Sequence, residues 1–260
     1  MTVRIGTSGW QYRDWRGTFY PPRLAQARWL ETYASAFATV ESNNAFYRLP
    51  ERHVFGAWAE RTPDDFVMAV KLSRFLTHVR RLRDPAEPVQ RFLDRAAGLG
   101  SKLGPVLIQL PPQLRADRER LAETLDQFPA GVRVAVEFRH ASWFTDQIRA
   151  LLERHGAALC LADRRGLLTP VWRTTDWTYI RFHEGRASPR PCYGRTTLHT
   201  WVERLRDGWG PDAEAWVYFN NDPRGCAPRD AARFGALAAA AGLEPSRTPP
   251  PRTVRVRRAA

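Results

Sequence analysis

The sequence alternates between apolar, β-branched runs and amphipathic helical stretches almost from end to end. Strands are predicted at Val3–Thr7, Thr39–Asn43, Phe66–Leu72, Val106–Leu110, Arg133–Phe138, Ala158–Ala162, Tyr179–His183 and Glu214–Asn220. Helices are predicted between them, at Ala27–Phe37, Val54–Arg61, Pro88–Leu103, Arg118–Phe128, Asp146–His155, Leu198–Trp209 and Arg229–Ala241. Repeated βα units imply right-handed crossovers and a parallel sheet, and eight strands close a (β/α)8 TIM-type barrel. We therefore predict an α/β fold with a single barrel.

An open, doubly wound sheet is the alternative architecture. The first predicted strand leads into the segment Gly6–Trp10, where a bulky indole stands in place of the glycine-rich turn that approaches a pyrophosphate. No repeat and no internal linker interrupts the pattern. Residues 1–244 are thus predicted to form one barrel domain, followed by a Pro/Arg-rich tail at 245–260.

The tail is predicted to be extended and disordered, because it contains a run of three prolines and then several basic residues. Its arginines are Arg247, Arg252, Arg255, Arg257 and Arg258, and it has no acidic residue. It is either a polyanion-binding arm or a solvated terminus, and we favour the terminus.

Composition excludes several classes of protein. Apolar residues make up 43% of the 260 residues, enough for a substantial core, and no run approaches the ~18 apolar residues of a membrane span. The N-terminus lacks a signal-peptide pattern. Cys160, Cys192 and Cys226 are odd in number and widely spaced, which predicts neither a disulfide framework nor a thiolate zinc site. We expect a cytoplasmic protein without a membrane partner.

Polar residues mark the carboxyl ends of the predicted strands, where barrels hold their active sites. Alternation along six strands turns one face from small or apolar to polar at that end. The residues on that face are Glu41 and Asn43, Lys71, Gln109, Glu137 and Arg139, Asp163, and Arg181 and His183. Buried charges are costly unless they are paired or solvated, so this convergence predicts a site. A structural ion network that binds nothing is the alternative.

Among these residues, Glu137 is the first candidate for proton transfer and Glu41 the second. Lys71 is distinctive because it and Lys102 are the only lysines among 40 basic residues. A lysine there supplies a compact ammonium, or an amine whose pKa falls on desolvation, although chance retention explains it equally well. A metal held by Asp163, His183 and Glu137 is not favoured, since neighbouring cations repel it. No cofactor is predicted.

The loops after the strands add candidate ligand-binding residues. The segment from Trp10 to Pro21 interleaves aromatic and basic residues, which suits stacking on bases or sugars, or else forms a packed lid. Further candidates from the loops are Trp10, Tyr12, His140, Trp143 and Asn220.

The ordered motifs of the chain resemble those of the YecE-like family, a bacterial and archaeal domain of unknown function. The matching segments are Gly6–Trp10 with Tyr12, Trp15, Gly17 and Phe19–Pro21; Glu41–Asn43 and Phe46–Pro50; Val70–Lys71 with Arg74 and Thr77–His78; Gln109–Pro112; Val136–His140 with Ser142–Trp143; Arg181–His183; and Tyr218–Asn221. The resemblance implies a TIM-type barrel and supplies no reaction. Analogy with endonuclease-type barrels suggests phosphate or nucleic-acid ligands. Glu184 and Asp230 depart from the family pattern.

Two classes of function follow. In the first, an enzyme, either a hydrolase or a lyase, binds a phosphorylated or nucleotide-like anion at the barrel mouth and uses general acid/base chemistry. The residues that hold the anion would be Lys71, Arg74, Arg139 and Arg181, with His78 or His183 supporting Glu137. In the second, the chain is a non-catalytic nucleic-acid-binding protein. A scaffold with no ligand is a third possibility, and no protein partner can be inferred.

Overall fold

The computed structural model describes residues 1–167 and 169–257. Its strands are β1 Thr2–Thr7, β2 Thr39–Ser42, β3 Val67–Lys71, β4 Leu103–Gln109, β5 Val134–Glu137, β6 Ala158–Asp163, β7 Thr178–Phe182, β8 Glu214–Phe219 and β9 Glu244–Pro245. Its helices are α1 Trp29–Ala36, α2 Asn44–Tyr47, α3 Arg52–Glu60, α4 Ala86–Ala96, α5 Arg118–Leu125, α6 Asp146–Arg154, α7 Arg195–Gly208 and α8 Cys226–Ala240. Among the described residues, no helix combines the length and the apolar character that crossing a bilayer requires.

The strands form one curled, parallel sheet in the order β2-β3-β4-β5-β6-β7-β8-β1-β9. The α/β prediction is therefore confirmed, and so is the succession of eight parallel strands. Closure into a complete barrel is not confirmed. In the described chain β1 and β2 meet only through an isolated bridge between Ser8 and Glu41. The architecture is barrel-like, with an incomplete seam between its first two strands.

Apolar residues lie on both sides of the sheet. The larger cluster, between the strands and the helices, takes the aliphatic side chains of one strand face, such as Val3, Val40 and Val70. The smaller cluster fills the concave interior. Its members are Ala69, Leu107, Ala135, Ala158, Cys160, Trp177, Tyr179, Trp216 and Tyr218. Large aromatic groups on β7 and β8 thus face small residues across the interior, and together they form a solid floor under the carboxyl ends of the strands.

The C-terminal segment and a tyrosine fill the seam between β1 and β2. β9 pairs in parallel with the start of β1, and the Ile5 N–H donates to Ser246 Oγ at 3.0 Å. Farther along β1, the Thr7 N–H donates to the Tyr33 hydroxyl at 2.9 Å, and that hydroxyl donates to the Thr39 carbonyl at 3.0 Å. Edge groups that a continuous ladder would satisfy therefore find other partners.

The expectation of a disordered tail is wrong for residues 245–257. Arg247 forms a salt bridge with Asp65 at 2.6 Å and donates to the Ala34 carbonyl at 2.9 Å. Val254 is buried, and the Arg255 N–H donates to the Thr18 carbonyl at 3.1 Å. Proline and arginine predicted an extended segment but gave no sign of its hydrogen bonds to the seam. Arg258 lies outside the described residues.

The expectation that no cysteines pair is also wrong. Cys192, in the loop between β7 and α7, forms a disulfide with Cys226 at the start of α8, with 4.9 Å between their Cα atoms. Cys160 is free and buried in the interior of the sheet. Wide spacing in the sequence did not reveal the pair, because the fold brings adjacent loops together. The prediction of a cytoplasmic location loses the support that it took from unpaired cysteines.

The seam gives a prediction about stability. Replacing Ser246 with alanine removes the acceptor of the Ile5 N–H, and we expect the free energy of unfolding to fall by about 1–2 kcal/mol. Urea denaturation measures this change. The control is Ser35→Ala, which removes an exposed bond to Thr32 and should change the free energy by less than about 0.5 kcal/mol. Equal effects of the two substitutions would show that the seam bond contributes nothing.

Candidate functional site

A cleft of about 600 Å³ opens at the carboxyl ends of the strands. Its lining residues are Tyr12, Asn43, Phe46, Tyr47, Lys71, Arg74, His78, Gln109, Arg139, Arg181, Asn220 and Asp222. The parallel topology explains this convergence, since every strand ends at the same edge and alternate side chains point inward. Most of the side chains that were predicted to bind a ligand are thus brought together, while Glu41, Glu137 and His183 contact the cleft residues from below.

Arg181 links two carboxylates at the floor of the cleft. Its Nη2 donates to Glu41 Oε1 at 2.7 Å, and its Nη1 donates to Glu137 Oε2 at 2.6 Å. All three side chains are at most 1% exposed. Desolvating such charges is costly, and the short, charge-assisted bonds offset that cost. One guanidinium therefore joins β2, β5 and β7.

Glu137 accepts further bonds from two cleft residues. Gln109 Nε2 donates to Oε2 at 2.9 Å, and Arg139 Nε donates to Oε1 at 2.9 Å. Burial by itself would raise the pKa of Glu137, but the charges of Arg181 and Arg139 outweigh burial and hold that pKa well below its ordinary value. Glu137 is therefore a fixed anion.

His183 is oriented by Asn220 and Glu137. The Asn220 side-chain amide lies 3.1 Å from His183 Nδ1, and His183 Nε2 lies 3.3 Å from Glu137 Oε1. An amide that donates to Nδ1 leaves the proton on Nε2, which lies beside the carboxylate but forms no hydrogen bond among the described residues. Burial lowers the pKa of His183, so the imidazole is neutral at neutral pH.

Glu41 has a second donor beside Arg181. The Tyr179 hydroxyl donates to Glu41 Oε2 at 2.6 Å, and both side chains are fully buried. Tyr179 stays protonated, because burial and then the Glu41 charge raise its pKa well above the ordinary value. Each carboxylate oxygen of Glu41 and Glu137 therefore accepts at least one hydrogen bond.

Lys71 is the exception in this network of paired charges. It is 7% exposed, and its Nζ lies 3.9 Å from the centre of the Phe46 ring. Within the described part of the chain, Nζ has no hydrogen-bond acceptor and no carboxylate partner. Burial, and then the Arg181 guanidinium, lower the pKa of Lys71 to about 7. Neutral and charged forms therefore coexist at neutral pH.

His78 lies beside Lys71 in the same positive field. Burial, followed by the charges of Lys71 and Arg74, lowers the pKa of His78 to about 4. Its Nδ1 lies 2.9 Å from Thr77 Oγ1, and its ring meets Phe46 edge-on. Repulsion among these groups indicates positive charge that the protein itself does not neutralise.

Sequence reasoning gave Asp222 no role, although it lines the cleft. Its Oδ1 is buried and meets no hydrogen-bond donor among residues 1–167 and 169–257. Burial raises the pKa of Asp222 to about 7, against the lowering effect of the Tyr12 hydroxyl. The missed signal was the inward alternation of β8, which continues from Tyr218 through Asn220 to Asp222.

The predicted inward face of β6 is wrong by one residue. Leu159 and Leu161 pack in the outer layer, and the carboxylate of Asp163 accepts a bond from Trp201 Nε1 at 2.7 Å. Ala158 and Cys160 fill the interior instead. Both faces of this strand are apolar, so periodicity could not distinguish them.

Arg164 is therefore the charged residue that β6 brings towards the cleft. Its Nη1 is buried and lacks an acceptor within the described ranges. Burial and then the charge of Arg139 lower the pKa of Arg164. Sequence reasoning missed this residue because it assigned the inward face of β6 one residue out of register.

Trp10, Trp143 and His140 are not part of the cleft lining. Trp10 is buried edge-on against Trp58, and Trp143 stacks on Phe138 and donates through Nε1 to a main-chain carbonyl. His140 Nδ1 lies 2.8 Å from Ser142 Oγ and caps a short turn. The first loop is accordingly a packed lid, from which Tyr12 reaches the cleft.

Glu184 and Asp230, the two residues that depart from the family pattern, have different surroundings. Asp230 is fully buried and accepts bonds from the Tyr193 N–H at 2.7 Å and Asn221 Nδ2 at 2.8 Å. It therefore fixes the loop after β7. Glu184 is partly exposed and pairs with Arg165 at 3.4 Å.

A metal centre is not evident in the part of the chain that the structure describes. No group of three or more His, Cys, Asp or Glu side chains there could hold a metal ion. The carboxylates at the cleft floor already accept bonds from arginine and tyrosine, so they have little capacity left for a cation.

The ion network predicts a large loss of stability for Arg181→Met. This change leaves two buried carboxylates without their shared cation, and we expect it to lower the free energy of unfolding by about 3–5 kcal/mol. Arg61→Met, which breaks an exposed pair with Glu31, should cost no more than about 1 kcal/mol and serves as the control. Denaturant titration at pH 7 compares the two.

The pH dependence of Arg181→Met gives a second measurement. A lowered folded-state pKa means that ionised Glu137 stabilises the wild type above its ordinary pKa, and that this contribution is lost as pH falls through the lowered value. Without Arg181 the folded-state pKa of Glu137 rises towards or above its ordinary value, so the variant should lose less stability than the wild type as the pH falls below that ordinary value. An unchanged acid profile would contradict the network as described.

Comparisons with known proteins agree with this architecture. A family model described as "Protein of unknown function DUF72" matches residues 4–254. The chain is 26% identical to the UPF0759 protein YunF of Bacillus subtilis, a similarity that covers 86% of this chain and 90% of YunF. The YecE-like resemblance agrees at the level of the family, since YecE is itself a DUF72 member.

Two solved structures show the same fold. The crystal structure of a DUF72 family protein from Thermotoga maritima has a TM-score of 0.80 and 29% identity, covering 92% of this chain and 100% of that one. The crystal structure of a DUF72 family protein from Enterococcus faecalis has a TM-score of 0.75 at 20% identity, covering 91% of this chain and 95% of that one. Together with the match over residues 4–254, they establish that the chain belongs to the DUF72 family of proteins of unknown function.

Proposed function

We propose that the chain is an enzyme that binds a phosphorylated or nucleotide-like anion in the cleft and acts on it by general acid/base chemistry. One observation carries the proposal: three residues that line the cleft each have a buried polar atom without a partner. Among the described residues these atoms include Asn43 Oδ1, Arg181 Nε and Asp222 Oδ1. Unsatisfied buried groups are rare in folded proteins, and a bound ligand is the ordinary reason for a cluster of them.

The charges of the cleft support an anionic ligand. Lys71, Arg74 and Arg139 line it, while Glu41 and Glu137 are already engaged by Arg181. Guanidinium groups match the oxygens of phosphate, and bringing an anion here relieves the repulsion that lowers the pKa values of Lys71 and His78. This arrangement of charges does not require β1 and β2 to pair and close the sheet into a full barrel.

Two groups in the cleft have pKa values suited to proton transfer at neutral pH. Lys71 and Asp222 each have a pKa of about 7, the range in which an acid or base is most effective. Glu137, the base expected from the sequence, has a pKa far below this range. We therefore assign Glu137, with Glu41, to holding Arg181 and Arg139 in place, and proton transfer to Lys71 and Asp222. The proposal involves no metal and no cofactor.

A non-catalytic nucleic-acid-binding protein is the second candidate. It is favoured by Tyr47, which lies at the edge of the cleft with 80% of its surface exposed and could stack on a base. Under this alternative, Tyr47→Ala should weaken the binding of a single-stranded oligonucleotide strongly, and Asp222→Asn should leave every measurable activity unchanged. Under the enzyme proposal the second substitution abolishes turnover.

Binding of inorganic sulfate tests the proposed anion site. Sulfate keeps its charge between pH 6 and 8, while Lys71 loses a proton and Asp222 loses one to become negative. Both changes disfavour an anion, so we expect affinity to fall about fivefold to tenfold over this interval, the effect of a shift of about one pKa unit. Isothermal titration calorimetry measures it, and Lys71→Met should flatten the pH dependence.

Substitution of one arginine in the cleft localises the sulfate. Arg74→Gln should weaken sulfate binding about tenfold, the loss of about one charge-assisted bond. Arg80→Gln is a matched control, because Arg80 belongs to the same segment but pairs with Asp84 outside the cleft. A sulfate affinity that changes neither with pH nor with Arg74→Gln would refute the anion site.

A further inference from the structure

The two lysines of this chain have opposite surroundings. Lys102 Nζ donates to the Ala59 carbonyl at 2.6 Å, the Thr62 carbonyl at 2.7 Å and Thr62 Oγ1 at 3.3 Å. Three acceptors satisfy all three protons of an ammonium. Lys102 therefore joins the end of α3 to the turn before β4 through these three bonds.

Lys71 has no such acceptors within the described ranges. Its Nζ faces the cleft, with an aromatic ring 3.9 Å away. Glu137 and Glu41 raise its pKa, but burial and the guanidinium groups of Arg181 and Arg139 outweigh them. Cationic neighbours and a desolvated site favour the neutral amine, whose lone pair is free. A neutral amine in a cleft that also accepts ligands is the arrangement found in lysine nucleophiles.

We propose that Lys71 is the nucleophile of this enzyme and forms an imine with the carbonyl carbon of an anionic aldehyde or ketone. The inference rests on the proposed function and narrows its substrate to a carbonyl compound that carries a phosphate or a carboxylate. Arg74 and Arg139 hold the anionic group, and the carbonyl carbon meets Nζ.

The step balances without an oxidant or a reductant. The lone pair of Nζ attacks the carbonyl carbon, a C–N bond forms, and the carbonyl oxygen takes up a proton to give a carbinolamine. The nitrogen loses its two protons in the course of the reaction, the C–O bond breaks, and the oxygen leaves as water. Asp222 is the cleft residue that supplies and recovers protons, since both of its protonation states are populated at neutral pH.

Reductive trapping tests the proposal. Folded wild-type protein at pH 7 is mixed with pyruvate, dihydroxyacetone phosphate or neutral dihydroxyacetone, and borohydride then converts any imine to a stable secondary amine. Peptide mass spectrometry locates the adduct. Lys71 and Lys102 are the two lysines of the sequence, so assignment of a lysine adduct to its peptide is direct.

We expect an anionic carbonyl compound to label Lys71 at least about tenfold more than Lys102, because Lys71 lies in the cleft with a pKa near 7, whereas the Lys102 amine is engaged by three acceptors. Excess sulfate should suppress labelling of Lys71 and leave Lys102 unaffected. Lys71→Arg should abolish this adduct, while Lys102→Arg, the matched control, should preserve it. Circular dichroism checks the folding of both variants. If either variant does not fold, the ratio of Lys71 to Lys102 labelling in the wild-type protein still tests the proposal.

The other outcomes separate this inference from the proposed function. Sulfate binding without a Lys71 adduct would overturn the nucleophile and leave the anion site intact. Absence of both would overturn both. Labelling of Lys71 by neutral dihydroxyacetone as efficient as labelling by its phosphate would overturn the anionic substrate class, because the arginines would then play no part.

Discussion

The two ion pairs that Arg181 forms with Glu41 and Glu137 determine how the rest of the cleft is arranged. They tie β2 to β5 and β7 across the concave side of the sheet. Since both carboxylates already bind Arg181, and Glu137 also binds Arg139, Lys71 and Arg74 have no carboxylate partner within the described part of the chain. A buried ion pair is ordinarily weak evidence for stability. Here its more important effect is electrostatic, because it makes a cleft that contains acidic residues behave as a positive one.

Much of the cleft could be predicted, because the alternation of side chains along a strand is informative where one face of the strand is small or polar. On β3 and β7 the inward residues Lys71, Arg181 and His183 stand out against apolar outward neighbours. On β6 both faces are apolar, and the same reasoning selected Asp163 in place of Arg164. The chemical roles were harder to predict than the positions. Glu137 looked like a base because a sequence does not show how many donors surround a carboxylate.

The features that sequence reasoning missed all depend on contacts between distant segments. The disulfide joins two loops that only the parallel topology brings together, and the C-terminal segment was expected to be disordered because its prolines and arginines are typical of solvated chain. Its order comes from bonds to β1 and to Asp65, about which local composition carries no information. Asp222 illustrates a related limit, since a single step of alternation beyond the predicted strand would have included it.

The position of β9 against β1 has a consequence for how the chain matures. Synthesis proceeds from the N-terminus, so the free edge of β1 waits for Glu244–Arg247, which are translated after the other strands of the sheet. Until then the Ile5 N–H lacks its acceptor. The growing chain therefore exposes an unpaired strand edge until β9 is made and docks. The first strand of the sheet is thus fastened by the last one, and the sheet is complete only when these two distant segments meet.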